Sequence, residues 1–264
     1  MDRPVGIFDS GIGGLTVARA VKDRLPQESI VYFGDTAHLP YGDKSAATIQ
    51  AYALRICDFL LKKRCKAILI ACNSAAAAAY DVICAHVGNQ AAVLDVIEPM
   101  VDYIGRHFQG QHIGLIGTQQ TIQSEVYARK IQALKLGIQL RALSTPLLVP
   151  MIEAGFTQGT VSEEIIHNYL EHPDLQQIKA LVLGCTHYPV IKTQLQAFYN
   201  NQIAVIDATT LAARALEQLL VRHQLLSTST ALEDHFIVSD RTPAFEAATR
   251  LFFRQSVHLE QLPA

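Results

Sequence analysis

Two cysteines, Cys72 and Cys185, stand at matching points of the sequence. Each ends a short apolar segment and precedes an amide or hydroxyl side chain. The two segments, 66–73 and 179–186, match in residue class position by position, at an offset of 113 residues (185 − 72). A thiol has an ordinary pKa of about 8.5 and acts as a base only where its surroundings favour the thiolate. Two such thiols across a cleft could remove a proton from one face of a planar intermediate and return one to the other.

Segments with helical periodicity follow both cysteines, at 75–87 and at 190–198. A helix N-terminus favours an anion, so each thiol is expected to gain from a helix dipole. For an isolated cysteine after a strand, a buried core residue is the simpler interpretation, but the matched pair favours the chemistry of racemisation. The remaining cysteines fall on predicted helices or just before a strand, where only an effect on stability is expected: Cys57, Cys65 and Cys84.

A glycine-rich segment at residues 9–14 follows the first apolar run. It lacks the third glycine of a dinucleotide-binding loop, because position 16 is Thr, and it has no Gly-Lys-Ser/Thr. We therefore expect a tight turn that brings Asp9 to a ligand. Asp9 could accept a proton or orient an ammonium group, and a helix cap is the structural alternative.

Other polar residues lie beside these features. The turn formed by Pro40, Tyr41 and Gly42 could present backbone N–H groups to a carboxylate, although such a segment alone is often only a turn. Amide, hydroxyl and imidazole groups next to the two thiols could hold the charged ends of an amino acid, so that its Cα–H is accurately placed. They are Asn73, Ser74, Thr186 and His187. His187 could also act on Cys185, or be structural.

Apolar runs typical of strands alternate with amphipathic stretches along the chain. We predict strands at 5–8, 29–33, 66–71, 92–96, 112–116, 179–183, 203–206 and 235–238. Predicted helices include 15–25, 46–63, 124–136, 161–170, 209–225 and 243–253. This alternation predicts an α/β fold with mainly parallel sheets covered by helices. Ligands of such folds bind beyond the carboxyl ends of the strands, where the polar residues above are expected.

A second pair of segments, 6–10 and 114–118, matches at an offset of 108 residues (114 − 6). Two matching pairs in the same order predict a duplicated α/β unit, although βα turns also resemble one another by chance. We expect a discontinuous first domain at 1–97 plus 208–264 and a second domain at 98–207. The C-terminal part, with a Ser/Thr-rich connector at 227–230, is expected to pack on the first domain.

The composition and net charge exclude several classes of function. Half of the 264 residues are hydrophobic and the formal net charge is −2, so a large core is expected and no basic surface for nucleic acid or an anionic membrane. No apolar run is long enough to span a bilayer, and the N-terminus does not resemble a signal peptide, so we expect a cytoplasmic protein. Five cysteines without a CxxC pair or histidines at the spacing of zinc ligands favour neither disulfides nor a zinc site.

Taken together, the motifs resemble the glutamate racemases of the aspartate/glutamate racemase family, from about residue 5 to residue 253. They are residues 9–14, 40–42, 71–75, 152–155 and 184–189. The cysteine motifs and the Gly-Cys-Thr-His-Tyr-Pro segment carry most of the specificity. One departure is Ser74, where the family usually has Thr. Because the hydroxyl is kept, we expect at most a small effect on substrate positioning.

The resemblance implies two pseudo-symmetric α/β domains and a cofactor-independent interconversion of L- and D-glutamate that supplies D-glutamate for peptidoglycan. It implies that Cys72, supported by Asp9, takes the α-proton of D-glutamate. Cys185, supported by Glu153 and His187, would take that of L-glutamate. The implied substrate-binding residues are Asp9, Ser10, Pro40, Tyr41, Gly42, Asn73, Ser74, Thr118, Thr186 and His187. No cofactor or metal is implied, and a homodimer is expected.

Three alternatives stay open at this point. A racemase for aspartate or another acidic amino acid could use the same pair of thiols. A pyridoxal-phosphate racemase would need a Schiff-base lysine, and no lysine adjoins the motifs that follow the strands. A non-catalytic α/β protein could use the same cleft to capture a small anion.

Overall fold

The computed structural model describes residues 3–228 and 233–262. The predicted connector at 227–230 therefore lies partly outside the described residues, as do the first two and last two residues of the first predicted domain. Ten strands are described: β1 (Val5–Asp9), β2 (Ile30–Gly34), β3 (Ala67–Ile70), β4 (Ala92–Asp95), β5 (His112–Gly117), β6 (Gln139–Ser144), β7 (Ala180–Gly184), β8 (Ala204–Asp207), β9 (His235–Val238) and β10 (Leu259–Gln261).

Eleven α-helices are described: α1 (Leu15–Arg24), α2 (Ala46–Lys62), α3 (Asn73–Val87), α4 (Ile97–His107), α5 (Gln119–Gln123), α6 (Val126–Ala133), α7 (Leu148–Glu153), α8 (Thr160–Leu170), α9 (Lys192–Phe198), α10 (Thr209–Arg222) and α11 (Pro243–Phe253). In α2, for example, Ser45 caps the first turn by accepting the Thr48 amide, and the apolar residues that follow recur at helical spacing on the buried face. No helix within the described part of the chain is long and apolar enough to cross a membrane.

The strands form two sheets, in the orders β10-β9-β2-β1-β3-β4 and β6-β5-β7-β8. Every strand pair in both sheets is parallel. β1, β3 and β7 are buried along their whole length, because helices cover both faces of each sheet. The predicted α/β fold with mainly parallel sheets is confirmed.

The order β2-β1-β3-β4 in the first sheet is repeated as β6-β5-β7-β8 in the second. The matched segments 6–10 and 114–118 include β1 and β5, and the cysteine-bearing segments include β3 and β7, so both pairs occupy equivalent places. A third match went unnoticed in the sequence: β4 reads Ala-Val-Leu-Asp and β8 reads Ala-Val-Ile-Asp. Three pairs at equivalent strands support the interpretation of a duplicated unit.

All eight predicted strands are present, with ends displaced by a residue or two. Two strands were missed, β6 and β10. Both lie at sheet edges, and β6 is only partly buried, so neither carries a continuous apolar run. The helix predicted at 124–136 is wrong at its start: Glu125 adopts a positive φ of 55° and separates α5 from α6.

The C-terminal strands β9 and β10 extend the first sheet beside β2, and α10 and α11 pack against α1. These contacts support our division into 1–97 plus 208–264 and 98–207, which remains a proposal. Cys72 follows β3 and Cys185 follows β7, so each cysteine lies at the carboxyl end of a central strand of its sheet.

Candidate active site

A cavity of about 190 Å³ lies between the carboxyl ends of the two sheets. This volume is below the roughly 300–1,000 Å³ of pockets for drug-sized ligands, so the cavity fits a smaller molecule. It is lined by every candidate residue named from the sequence except Asp9: Ser10, Pro40, Tyr41, Gly42, Cys72, Asn73, Ser74, Thr118, Glu153, Cys185, Thr186 and His187. The structure therefore brings together residues that are up to 177 positions apart.

Cys72 is the N-cap residue of α3, and its Sγ accepts a hydrogen bond from the backbone N–H of Ala75 at 3.5 Å. The thiol also lies 3.6 Å from the hydroxyl of Ser10. Burial and then the charge of Asp9 raise the pKa of Cys72 to about 12, although both hydrogen bonds act in the opposite direction. The predicted helix N-terminus is present here, but burial and the charge of Asp9 outweigh its effect on the pKa of Cys72.

Cys185 has a different neighbourhood. A 3-10 helix, Tyr188–Ile191, separates it from α9. Pro189 lies in the first turn of that 3-10 helix and has no N–H to donate. The predicted helical segment is therefore present but begins as a 3-10 turn at Tyr188, and within the described residues Sγ of Cys185 accepts no backbone amide of the kind that Cys72 receives from Ala75.

The partner of Cys185 is instead His187, whose Nδ1 lies 3.7 Å from Sγ. On its other side, Nε2 of His187 lies 2.9 Å from Oε1 of Glu153. Burial lowers the pKa of His187, but hydrogen bonds to Cys185 and Glu153 outweigh it and raise the pKa to about 10. The ring of His187 therefore lies between the sulfur of Cys185 and the carboxylate of Glu153.

Asp9 lies beneath the cavity and is fully buried. Its Oδ2 accepts the amide of Gly11 at 3.1 Å, and its Oδ1 accepts the hydroxyl of Thr186 at 3.3 Å. Burial raises the pKa of Asp9, opposed by the charge of His187 and by backbone amides. Within the described residues Asp9 makes no hydrogen bond to Cys72, so it acts on that thiol only through its charge.

The turn at residues 40–42 lies against the second sheet. A Cβ added at Gly42 would come within 2.8 Å of Cβ of Thr118, so only glycine permits this approach. The hydroxyl of Tyr41 donates to Asp35 and is not free for a ligand. Backbone groups of this turn, rather than the phenol, are thus available to the cavity.

Residues that follow each cysteine are held from the opposite sheet. The hydroxyl of Ser74 lies 2.7 Å from that of Thr118, and Tyr127 donates to the amide oxygen of Asn73 at 2.8 Å. In return, Oγ1 of Thr16 lies 3.1 Å from the carbonyl of Thr186. Tyr127 and Thr16 were missed from the sequence, although the repeat offset could have indicated them.

Gly13 was also missed as an individual position. A Cβ added there would come within 2.5 Å of the His187 ring and 2.6 Å of the Thr186 hydroxyl. The loop after β1 therefore packs tightly against the catalytic candidates at the end of β7. The glycine-rich segment permits close contact between the two halves of the cleft, in keeping with its prediction as a tight turn.

The donor set of the site bears on cofactor chemistry. Within the described part of the chain, no lysine lines the cavity and no three His, Cys, Asp or Glu residues are grouped as metal ligands. What the cavity does present is two thiols, an imidazole–carboxylate pair, and amide and hydroxyl donors. Thiols and an imidazole can transfer protons, and the donors can bind carboxylates.

Comparison with known proteins identifies the family. The family model described as Asp/Glu/Hydantoin racemase matches residues 15–216. A glutamate racemase of Chlorobium phaeobacteroides is 39% identical over 257 residues, which cover 97% of this chain and 94% of that protein. One of Neisseria meningitidis serogroup C is 41% identical over 239 residues, 90% of this chain and 88% of that protein.

A solved structure is also similar, that of a glutamate racemase from Francisella tularensis subsp. tularensis in complex with D-glutamate. Its TM-score is 0.93 at 38% sequence identity, and the match covers 99% of this chain and 98% of that one. The resemblance drawn from the motifs is confirmed. The chain is an isomerase that belongs to the Asp/Glu/hydantoin racemase family.

Proposed function

We propose that this chain interconverts L- and D-glutamate by a two-base mechanism in which Cys72 and Cys185 transfer the α-proton. The observation that carries the proposal is that the two cysteines end equivalent strands, β3 and β7, and line one cavity. A duplicated unit with a thiol at the same point of each copy supplies two bases that approach one carbon from opposite sides.

Different neighbouring groups support the two bases. Cys185 works with His187, whose ring lies between the sulfur of Cys185 and the carboxylate of Glu153. Cys72 relies on the amide of Ala75 and the hydroxyl of Ser10, while the charge of Asp9 strengthens its basicity once it is ionised. Following the resemblance, Cys185 takes the α-proton of L-glutamate and Cys72 that of D-glutamate.

Glutamate as the substrate is supported by the relatives, which are glutamate racemases, one of them bound to D-glutamate. The donors of the cavity suit a dicarboxylate: the turn at 40–42, Asn73, Ser74, Thr118 and Thr186. Asp9 lies behind this set and accepts a hydrogen bond from the hydroxyl of Thr186, so its carboxylate supports the substrate's ammonium group by charge and not by contact.

Several further expectations belong to this proposal. D-glutamate would serve peptidoglycan synthesis, since that is the role implied by the family. We also propose a cytoplasmic protein and a homodimer, and we retain the domain division at 97/98 and 207/208. No cofactor is required by the proposed chemistry, because thiols alone exchange the proton.

The proposal is tested by incubating the protein with L- or D-glutamate in deuterated water, without pyridoxal phosphate or added metal. Deuterium should enter at Cα while the two enantiomers become equal, followed by NMR and circular dichroism. Exchange of aspartate alone would contradict the choice of substrate. Binding of glutamate without any exchange would favour the alternative of an anion-binding protein.

Replacing Cys72 or Cys185 with Ser tests the contribution of each base individually. Each variant should lose racemisation, because a hydroxyl is a far weaker base than a thiol near neutral pH. Cys84→Ser is the matched control, since Cys84 lies on α3 outside the cavity. Near-normal turnover by either Cys72→Ser or Cys185→Ser would exclude the two-thiol assignment.

A further inference from the structure

Thr16 and Tyr127 occupy equivalent positions in the two copies of the duplicated unit. Each is the second residue of its helix, α1 after β1 and α6 after β5. Their offset of 111 residues (127 − 16) falls between the offsets of 108 and 113 found for the matched strand segments. Neither residue belongs to the sequence motifs or lines the cavity.

Each side chain reaches from a helix of one copy of the unit to the residue that directly follows the cysteine of the other copy. The hydroxyl of Thr16 lies 3.1 Å from the carbonyl of Thr186, next to Cys185. The hydroxyl of Tyr127 lies 2.8 Å from Oδ1 of Asn73, next to Cys72. Equivalent helices thus brace equivalent positions, and the Tyr127 contact reaches the side chain that faces the ligand.

The Tyr127 contact settles which end of the Asn73 side chain meets the cavity. Burial raises the pKa of Tyr127, so its hydroxyl keeps its proton and donates it to the amide oxygen. The Nδ2 group of Asn73 makes no hydrogen bond within the described residues. It is also not among the fully buried side-chain nitrogen and oxygen atoms without a hydrogen-bond partner in the described part of the chain. Since Asn73 lines the cavity, its N–H groups are open to the ligand.

We propose that Tyr127 is a positioning residue that holds the Asn73 carboxamide with its N–H groups toward the cleft, as a donor for a substrate carboxylate. The inference rests on the proposed function and deepens it. Without the phenol the amide could turn over and present Oδ1, a lone-pair acceptor, to the same carboxylate. Loss of this orientation weakens binding of the substrate in the ground state, whichever of its carboxylates Asn73 binds.

A double-mutant cycle tests the inference with four proteins: wild type, Tyr127→Phe, Asn73→Ala and the double variant. In the wild-type background, Tyr127→Phe should raise KM for both enantiomers about fivefold, the effect of one typical hydrogen bond. In the Asn73→Ala background the same change should alter KM by less than about twofold. Tyr127 has no other route to the substrate.

Tyr199→Phe is the control for loss of a partly buried phenol, because its hydroxyl meets only the carbonyl of Leu175, away from the cavity. All kinetics are measured below the lowest Tm of the set, so that the ratios report folded protein. Equal effects of Tyr127→Phe in both backgrounds, or no change of KM in the first, would overturn the inference.

The same four proteins are titrated with D-glutamate by calorimetry, and the cycle is read a second time as ratios of Kd. Racemisation with additive effects overturns the role of Tyr127 alone. Binding that shows the predicted non-additivity without racemisation overturns the proposed function alone. A wild-type protein that neither binds nor racemises D-glutamate overturns both.

Discussion

Gly13→Ala is predicted to disable the Cys185 half of the site while leaving its reacting groups in the sequence. The new Cβ would lie 2.5 Å from Cε1 and Nδ1 of His187 and 2.6 Å from the hydroxyl of Thr186. An ordinary carbon contact is about 3.5 Å or more, so the loop and the ring must separate by roughly 1 Å. Glu153 at 2.9 Å and the ring of Phe252 restrict where His187 can go.

A displacement of about 1 Å can cost roughly 100-fold in rate, because proton transfer depends on accurate placement of the groups. We therefore expect kcat/KM to fall about 100-fold in both directions. The two directions must fall together, since the equilibrium constant between enantiomers is one. Overpacking should cost about 1–3 kcal/mol of stability, which a urea titration separates from the catalytic loss.

Isotope effects locate the damage. If the step at Cys185 becomes limiting, the primary deuterium effect should rise with the α-deuterated enantiomer that Cys185 deprotonates. It should fall with the other enantiomer, whose deuterium is taken by Cys72. A Gly13→Ala protein whose kcat/KM is within fivefold of the wild-type value would refute the reasoning.

Two further predictions concern pH. Burial raises the pKa of Asp95 to about 6. At any pH above the pKa of the unfolded chain, ionisation of Asp95 therefore lowers the free energy of unfolding. Asp95→Asn should raise stability by up to about 3 kcal/mol at pH 8, an advantage lost below pH 4. At the equivalent Asp207, burial is outweighed by Lys192 and Thr209, which lower the pKa. Asp207→Asn should therefore destabilise at pH 8, and equal effects in urea titrations would contradict this contrast. Glu153→Gln removes one group that raises the pKa of His187. The alkaline limb of the kcat/KM profile should then move to lower pH, and an unmoved limb would exclude His187 as its source.

The sequence predicted the cysteine pair and its place at the sheet ends because that information is local. An apolar run, a cysteine and a polar residue recur at one offset, and parallel strands place their carboxyl ends on one edge. The strands β6 and β10 escaped because edge strands need no continuous apolar run. Their pairing is decided by the neighbouring strand instead.

Contacts across the cleft were less accessible to sequence reasoning. Asp9 ends β1 of the first sheet, yet its hydrogen-bonding partner from the other half is Thr186. Such features depend on the distance between two halves of the chain, which residue patterns within each half do not fix. The repeat offset was the one signal that could have led from Thr16 to Tyr127.

Duplication and divergence together explain why the two thiols are equivalent in place and unequal in chemistry. Two positions after each cysteine, one copy has Ser74 and the other has His187. Burial and the charge of Asp9 raise the pKa of Cys72, whereas Cys185 has the imidazole ring of His187 beside its sulfur and Glu153 on the other side of that ring. The two proton transfers therefore take place in different electrostatic surroundings, and we expect them to differ in pH dependence. This asymmetry cannot bias the equilibrium between the two enantiomers, because their equilibrium constant is one.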